Sequence, residues 1–183
     1  MEIIKRNKKT IFYTILVITS LTLTFQVFHF IEHFLQVSVW LGGTKGKAYM
    51  SPIGMWAMDE IGKLLFPNLE MARQAKLGFE FLHLIGNGIF LVGIVGLFYF
   101  IRKSKKLIWA FIIEAFHLYE HISLSLSALY INKSIGFSTL FGLPMSQTFS
   151  VGYRVWWHFI FNLIPTVLII LVIINIKNKS IKK

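Results

Sequence analysis

Six histidines make up the imidazole complement of the chain, and all of them fall in two short patterns that each occur twice. His29-Phe-Ile-Glu32-His33 and His117-Leu-Tyr-Glu120-His121 both read His-x-x-Glu-His, 88 positions apart. His83-Leu-Ile-Gly-Asn87 and His158-Phe-Ile-Phe-Asn162 both read His-x-x-x-Asn, 75 positions apart. On a helix, residues four apart project from one face. His29 with His33, and His117 with His121, are therefore each spaced to grip one metal ion from a single helix, the spacing that zinc helices use. Adding His83 to the first pair and His158 to the second gives two three-histidine sets. Imidazole nitrogen suits Fe, Cu and Zn.

Acidic residues accompany the histidines. Glu32 and Glu120 occupy equivalent places in the first pattern, and Glu80 and Glu114 each open a Glu-x-x-His with His83 and His117. Four of the eight acids thus lie inside apolar stretches, where charge is costly and usually functional. Glu80 and Glu114 are candidate metal ligands beside the six histidines. Glu32 and Glu120 are candidate catalytic groups that orient ligands or carry protons. Glu-x-x-His is also the pattern of di-iron carboxylate bundles, but the match is partial. No acid lies near His158, and Gln26 stands where the later half has Glu114. The absence of cysteine excludes thiolate ligands, iron–sulfur clusters and a cysteine nucleophile.

The elements that must position these side chains are apolar runs at about residues 11–40, 77–101, 107–131 and 152–176. Each reaches the ~20 helical residues that cross ~30 Å of hydrocarbon. Composition agrees: 55% of residues are hydrophobic and only 15% charged, against ~25% charged in soluble domains, and the mean hydropathy is +0.65. The basic start and long first run resemble a leader, but the run is too long and no small-residue cleavage site follows, so a retained helix is expected.

A net charge of +11 raises the prospect of a nucleic-acid partner, and the placement of the charges argues against it. Twelve of the 19 basic residues lie at run ends: Lys5, Arg6, Lys8 and Lys9; Arg102, Lys103, Lys105 and Lys106; Lys177, Lys179, Lys182 and Lys183. That is the positive-inside pattern, and it predicts a multi-pass cell-membrane protein with both termini cytoplasmic. Trp40, Trp56, Trp156 and Trp157 suit the outer interface and Trp109 the inner one. The segment from Ser51 to Phe66 predicts a short amphipathic helix on the outer surface.

The fold expected is all-α: one membrane domain, 1–183, forming a four-transmembrane-helix bundle. Two tandem helical hairpins, 1–101 and 102–183, build it as a parallel repeat about a pseudo-twofold axis along the membrane normal. Glycines 86, 88, 93 and 96 predict close packing of the second span, and Pro165 a kink in the fourth. All six histidines then fall in the outer half of the bilayer.

The function expected is a membrane metalloprotein with an intramembrane, histidine-rich dinuclear Fe or Cu centre, acting as an oxidoreductase on a lipophilic small molecule with oxygen. Haem or Zn are lesser alternatives. The runner-up is a metal- or haem-binding transport or assembly protein without turnover. The bilayer is the expected partner, nucleic acid is not, and the sequence names no redox partner.

Overall fold

The computed structural model describes residues 2–45 and 48–181, with side chains over 8–45 and 48–175. Lys182 and Lys183, and the side chains of Lys5, Arg6, Lys177 and Lys179, lie outside the described set. Among the described residues there are five α-helices and no strand: α1 Glu2–Leu41, α2 Pro52–Leu65, α3 Met71–Phe100, α4 Lys105–Ile131 and α5 Gln147–Ile181. Four of them (α1, α3, α4 and α5) are long and apolar enough to cross a membrane. The helices outrun the apolar stretches at several ends, because the polar flanking residues keep hydrogen-bonding into the helix. Pro165 lies inside α5, which continues through it.

α3 packs against α1 and α4, and α5 packs against α4 and α1, which closes a ring of four. The short link after α3 ends at Ser104, whose hydroxyl caps α4 by accepting from the amide of Leu107 at 3.3 Å. At the other end of this pair, Asn132 terminates α4 in the left-handed conformation. There Arg73 and Lys76, from the start of α3, donate to the carbonyls of Leu129 and Asn132. Cations at a helix C-terminus satisfy carbonyls that have no partner within the helix.

The bundle is polar inside and apolar outside over much of α1. Thr19, Gln26, His33 and Gln36 are buried, while Val17, Leu21, Val27, Phe28 and Phe34 on the other faces are exposed. A soluble helix would do the reverse. Phe90, Ile94, Leu97, Leu107, Ala110, Ile169 and Val172 form an all-apolar core between α3, α4 and α5.

Glycine decides how closely the helices approach. A Cβ at Gly86 would lie 3.3 Å from the His29 ring, and one at Gly93 would lie 2.7 Å from the Thr22 hydroxyl; one at Gly96 would meet the Thr19 hydroxyl. These three glycines seat α1 on α3. Gly88, also expected to pack closely, instead faces Leu118 of α4 at an ordinary 4.0 Å.

α2 crosses α3 backbone to backbone. A Cβ on Gly78 would strike the Met58 carbonyl, and one on Gly62 the Gln74 carbonyl. Rigid backbone cannot yield as a side chain does, so Gly78→Ala should destabilise the protein by roughly 1–3 kcal/mol, the cost of overpacking. Gly88→Ala should be close to neutral. Thermal unfolding of the two variants in detergent checks this; equal midpoints would contradict the crossing.

Candidate metal centre

The four long helices bring all six histidines into one cluster. His29 and His33 come from α1, His83 from α3, His117 and His121 from α4, and His158 from α5. Neighbouring ring centroids lie 4.7 Å apart for His29–His33 and for His117–His121. The pairs join through the two central rings. His83 lies 5.5 Å from both His33 and His121, and His158 lies 5.8 Å from His33 and 4.9 Å from His121. His33, His117 and His121 are fully buried, and His83 and His158 nearly so.

Atomic detail shows which nitrogen each ring turns inward. The Nε2 atoms of His29 and His33 lie 3.3 Å apart, and those of His117 and His121 lie 3.1 Å apart. Two nitrogens each ~2.05 Å from a tetrahedral ion would be separated by about 3.3 Å. Both i, i+4 pairs therefore already stand at the edge length of a coordination polyhedron. His117, His121 and His158 each offer a ligand nitrogen within 4.8 Å of the other two, so these three can hold a metal ion.

The outer ring nitrogens of His83, His158 and His33 are fixed by the protein, while Nδ1 of His117 and of His121 is buried without a hydrogen-bond partner. His83 Nδ1–H donates to the Phe79 carbonyl at 2.8 Å, and His158 Nδ1–H donates to the Arg154 carbonyl at 2.7 Å. A carbonyl can only accept, so Nδ1 carries the proton and Nε2 is left with its lone pair. Nε2 of His158 is buried with no hydrogen-bond partner. His33 Nδ1–H donates to Gln36 Oε1 at 3.0 Å. Histidines that ligate metals are normally held this way, by a second acceptor that sets tautomer and ring angle. Below each central ring, Asn87 and Asn162 donate Nδ2–H to the carbonyls of His83 and His158 at 2.8 and 2.9 Å.

The four acids have separate placements. Glu32 Oε1 accepts from the amide of Ser51 at 2.7 Å, where Ser51 caps α2. Glu120 Oε1 accepts from the amide of Ser138 at 2.6 Å, inside the short 3-10 turn Phe137–Gly142. Each glutamate of the His-x-x-Glu-His pattern therefore ties the loop that follows its own helix back onto that helix. Glu120 keeps its second oxygen buried and without a partner. Glu80 is almost wholly buried and takes two hydrogen bonds from Arg154 Nη2, at 2.9 and 2.7 Å, plus one from the Ser134 hydroxyl at 2.6 Å. Glu114 is fully buried, and neither of its oxygens has a partner.

Three residues around the site escaped sequence reasoning. Gln36 and Phe79 hold rings through a side-chain oxygen and a backbone carbonyl, which no motif marks. Arg154 had a signal: it is the one basic residue between 147 and 175, four positions before His158. An isolated arginine in an apolar span needs a buried counter-charge, and Glu80 supplies it.

No curated protein and no solved structure matches the chain. A family model does, over residues 3–182, nearly the whole sequence. The chain that carries this histidine cluster belongs to that family, DUF6008, a family of unknown function.

Proposed function

We propose that the chain is a four-span membrane protein that holds a dinuclear Fe or Cu centre between two repeated helical hairpins and works as an oxidoreductase on a lipophilic substrate. The observation that carries this is the gathering of six imidazole rings in one cluster, with both Nε2 pairs at polyhedron-edge spacing and the ligand nitrogens of His117, His121 and His158 within 4.8 Å of one another. Hydrogen-bond glue alone accounts for it poorly: His158 Nε2 has no partner among the described residues, and an unpaired buried polar atom costs roughly 1–3 kcal/mol. Ring centroids only 4.7–5.8 Å from one another favour ions between the rings over a porphyrin stacked between them.

Membrane residence is supported by the inside-out character of α1 and by four spans of sufficient length. With an even number of crossings, both termini and the 102–106 link share one side, and their basic clusters make it the cytoplasmic one. α2 then lies on the outer surface with Ile53, Trp56 and Leu64 turned to lipid. The two-hairpin repeat is supported by matching contacts in the two halves: His to the i−4 carbonyl, Asn to the His carbonyl, and Glu to a loop amide.

Imidazole-bound Fe or Cu supplies redox chemistry with O2 when bound. The chain's own residues keep the site dry, fix ring angles through Phe79, Arg154 and Gln36, and hold Glu120 Oε2 and the Glu114 carboxyl where protons can be taken up. Oxygen uptake by the purified, metal-loaded protein tests the enzymatic reading, with a lipid-soluble hydroxyl compound supplied as reductant. Uptake that depends on both reductant and metal is expected. Retained metal without uptake would overturn the enzyme and leave a metal-binding protein without turnover.

A further inference from the structure

A cleft of about 240 Å³ lies in the wall of the bundle between α1 and α5. Leu23 and Val27 form one side, Ile169, Ile170 and Ile173 the other, and Phe90 of α3 lies behind them. Val27, Ile170 and Ile173 are about half exposed on the outer face of the helices, so the cleft opens laterally, toward lipid if the helices span a bilayer. Three polar residues, Thr24, Gln26 and Thr166, line it as well, and the Thr24 hydroxyl is already donated to the Ser20 carbonyl at 2.8 Å.

The orientation of Gln26 follows from a chain of bonds. The His158 carbonyl only accepts, so Asn162 must face it with Nδ2. Asn162 Oδ1 is thereby turned toward Gln26, which must answer with a donor; Gln26 Nε2 lies 3.0 Å from it and 3.4 Å from the Thr166 hydroxyl. Gln26 Oε1 is what remains. It is buried, Gln26 being only 2% exposed, and it has no hydrogen-bond partner. In hydrocarbon no water is at hand to satisfy it.

We infer that this cleft binds a lipid-soluble hydroxyl compound, an alcohol or phenol on an apolar chain, whose O–H donates to Gln26 Oε1. The apolar chain lies along Ile169, Ile170 and Ile173, over ~6 Å of helix at 1.5 Å per residue. An acyl chain could fill the walls but offers no donor. Gln26 lies one helical turn before His29, so the hydroxyl end points toward the histidine cluster. That the cleft is the substrate's route to a metal rests on the proposed function; that it binds hydroxyl compounds does not.

The test uses the full-length protein in phosphatidylcholine nanodiscs, with 1-dodecanol and dodecyl methyl ether as probes and native mass spectrometry as readout. The ether keeps the chain and the oxygen and lacks the donor. Wild type should bind the alcohol roughly tenfold more tightly than the ether, the effect of one hydrogen bond to a buried amide. Gln26→Leu should erase that preference, and Ile170→Trp, a change at a half-exposed wall position, should reduce binding of both probes. Equal binding of the two probes by wild type would overturn the proposal, as would a preference that survives in Gln26→Leu. Metal content measured on the same samples separates the two readings: preference without metal keeps the cleft and rejects the centre, and metal without preference does the opposite.

Discussion

Purified wild-type protein should carry about two ions of Fe or Cu per chain, one for each three-histidine set, and His117→Ala with His121→Ala should remove one of them. His29→Ala with His33→Ala should remove the other, and the fourfold variant should hold none. The expectation comes from the Nε2 spacings of 3.1 and 3.3 Å: each double variant deletes one whole edge of a polyhedron. A graded third case distinguishes ligands from their supports. Gln36→Leu leaves every imidazole in place and removes only the acceptor on His33 Nδ1, so affinity should fall 10–100-fold rather than vanish. Elemental analysis reads the stoichiometry. Because deleting buried side chains also loosens the bundle, the unfolding midpoint should be followed against added metal. A ligand at 1,000 times its dissociation constant stabilises the native state by ~4 kcal/mol, so the wild-type midpoint should rise with metal and that of the fourfold variant should stay flat. Wild type without bound metal after growth in replete medium would sink the metal centre.

Much of this arrangement was legible in the sequence, because a helix turns spacing into direction. A spacing of four positions from His29 to His33, and from His117 to His121, places each pair on one face without any knowledge of neighbours. Apolar runs of the right length give the four helices, and the recurrence of His-x-x-x-Asn in the second and fourth fixes which faces meet. Spacing says nothing about contacts made across the bundle. Glu80 and Arg154 are 74 positions apart, and Gln26 and Asn162 are 136 apart; their meeting depends on which helix stands beside which. The roles of Glu32 and Glu120 were hidden for a related reason. Their partners are backbone amides of loops, at Ser51 and Ser138, and an amide leaves no mark in a sequence. Helix ends were also misplaced where hydropathy stopped before hydrogen bonding did. α5 begins at Gln147 although its apolar run begins near 152.

Removing one partner of the Glu80–Arg154 pair should do more damage than removing both. Glu80 is buried, and its carboxylate is held by the guanidinium at 2.7 Å and by Ser134. Arg154→Leu strands that carboxylate with one hydroxyl donor, and orphaning a buried charge costs ~3–5 kcal/mol. Glu80→Leu strands the arginine instead, but its side chain is 23% exposed and can turn toward water, so the loss should be smaller. Replacing both with leucine should recover most of the stability, since an apolar pair of similar volume is often as stable as a buried ion pair. The order of unfolding midpoints, double variant above Glu80→Leu above Arg154→Leu, checks the argument, and additive losses would refute it. The pair also bears on the centre. Glu80 precedes His83 by three residues and Arg154 precedes His158 by four, so the ion pair clamps α3 to α5 one turn from the two rings that join the histidine sets. Because the His158 Nδ1–H bond goes to the Arg154 backbone carbonyl, it survives the loss of the side chain. Metal retention should therefore track the restored packing, falling in the single variants and returning in the double one. If the double variant is stable yet holds no metal, the pair does more than clamp, and its charges belong to the chemistry of the site.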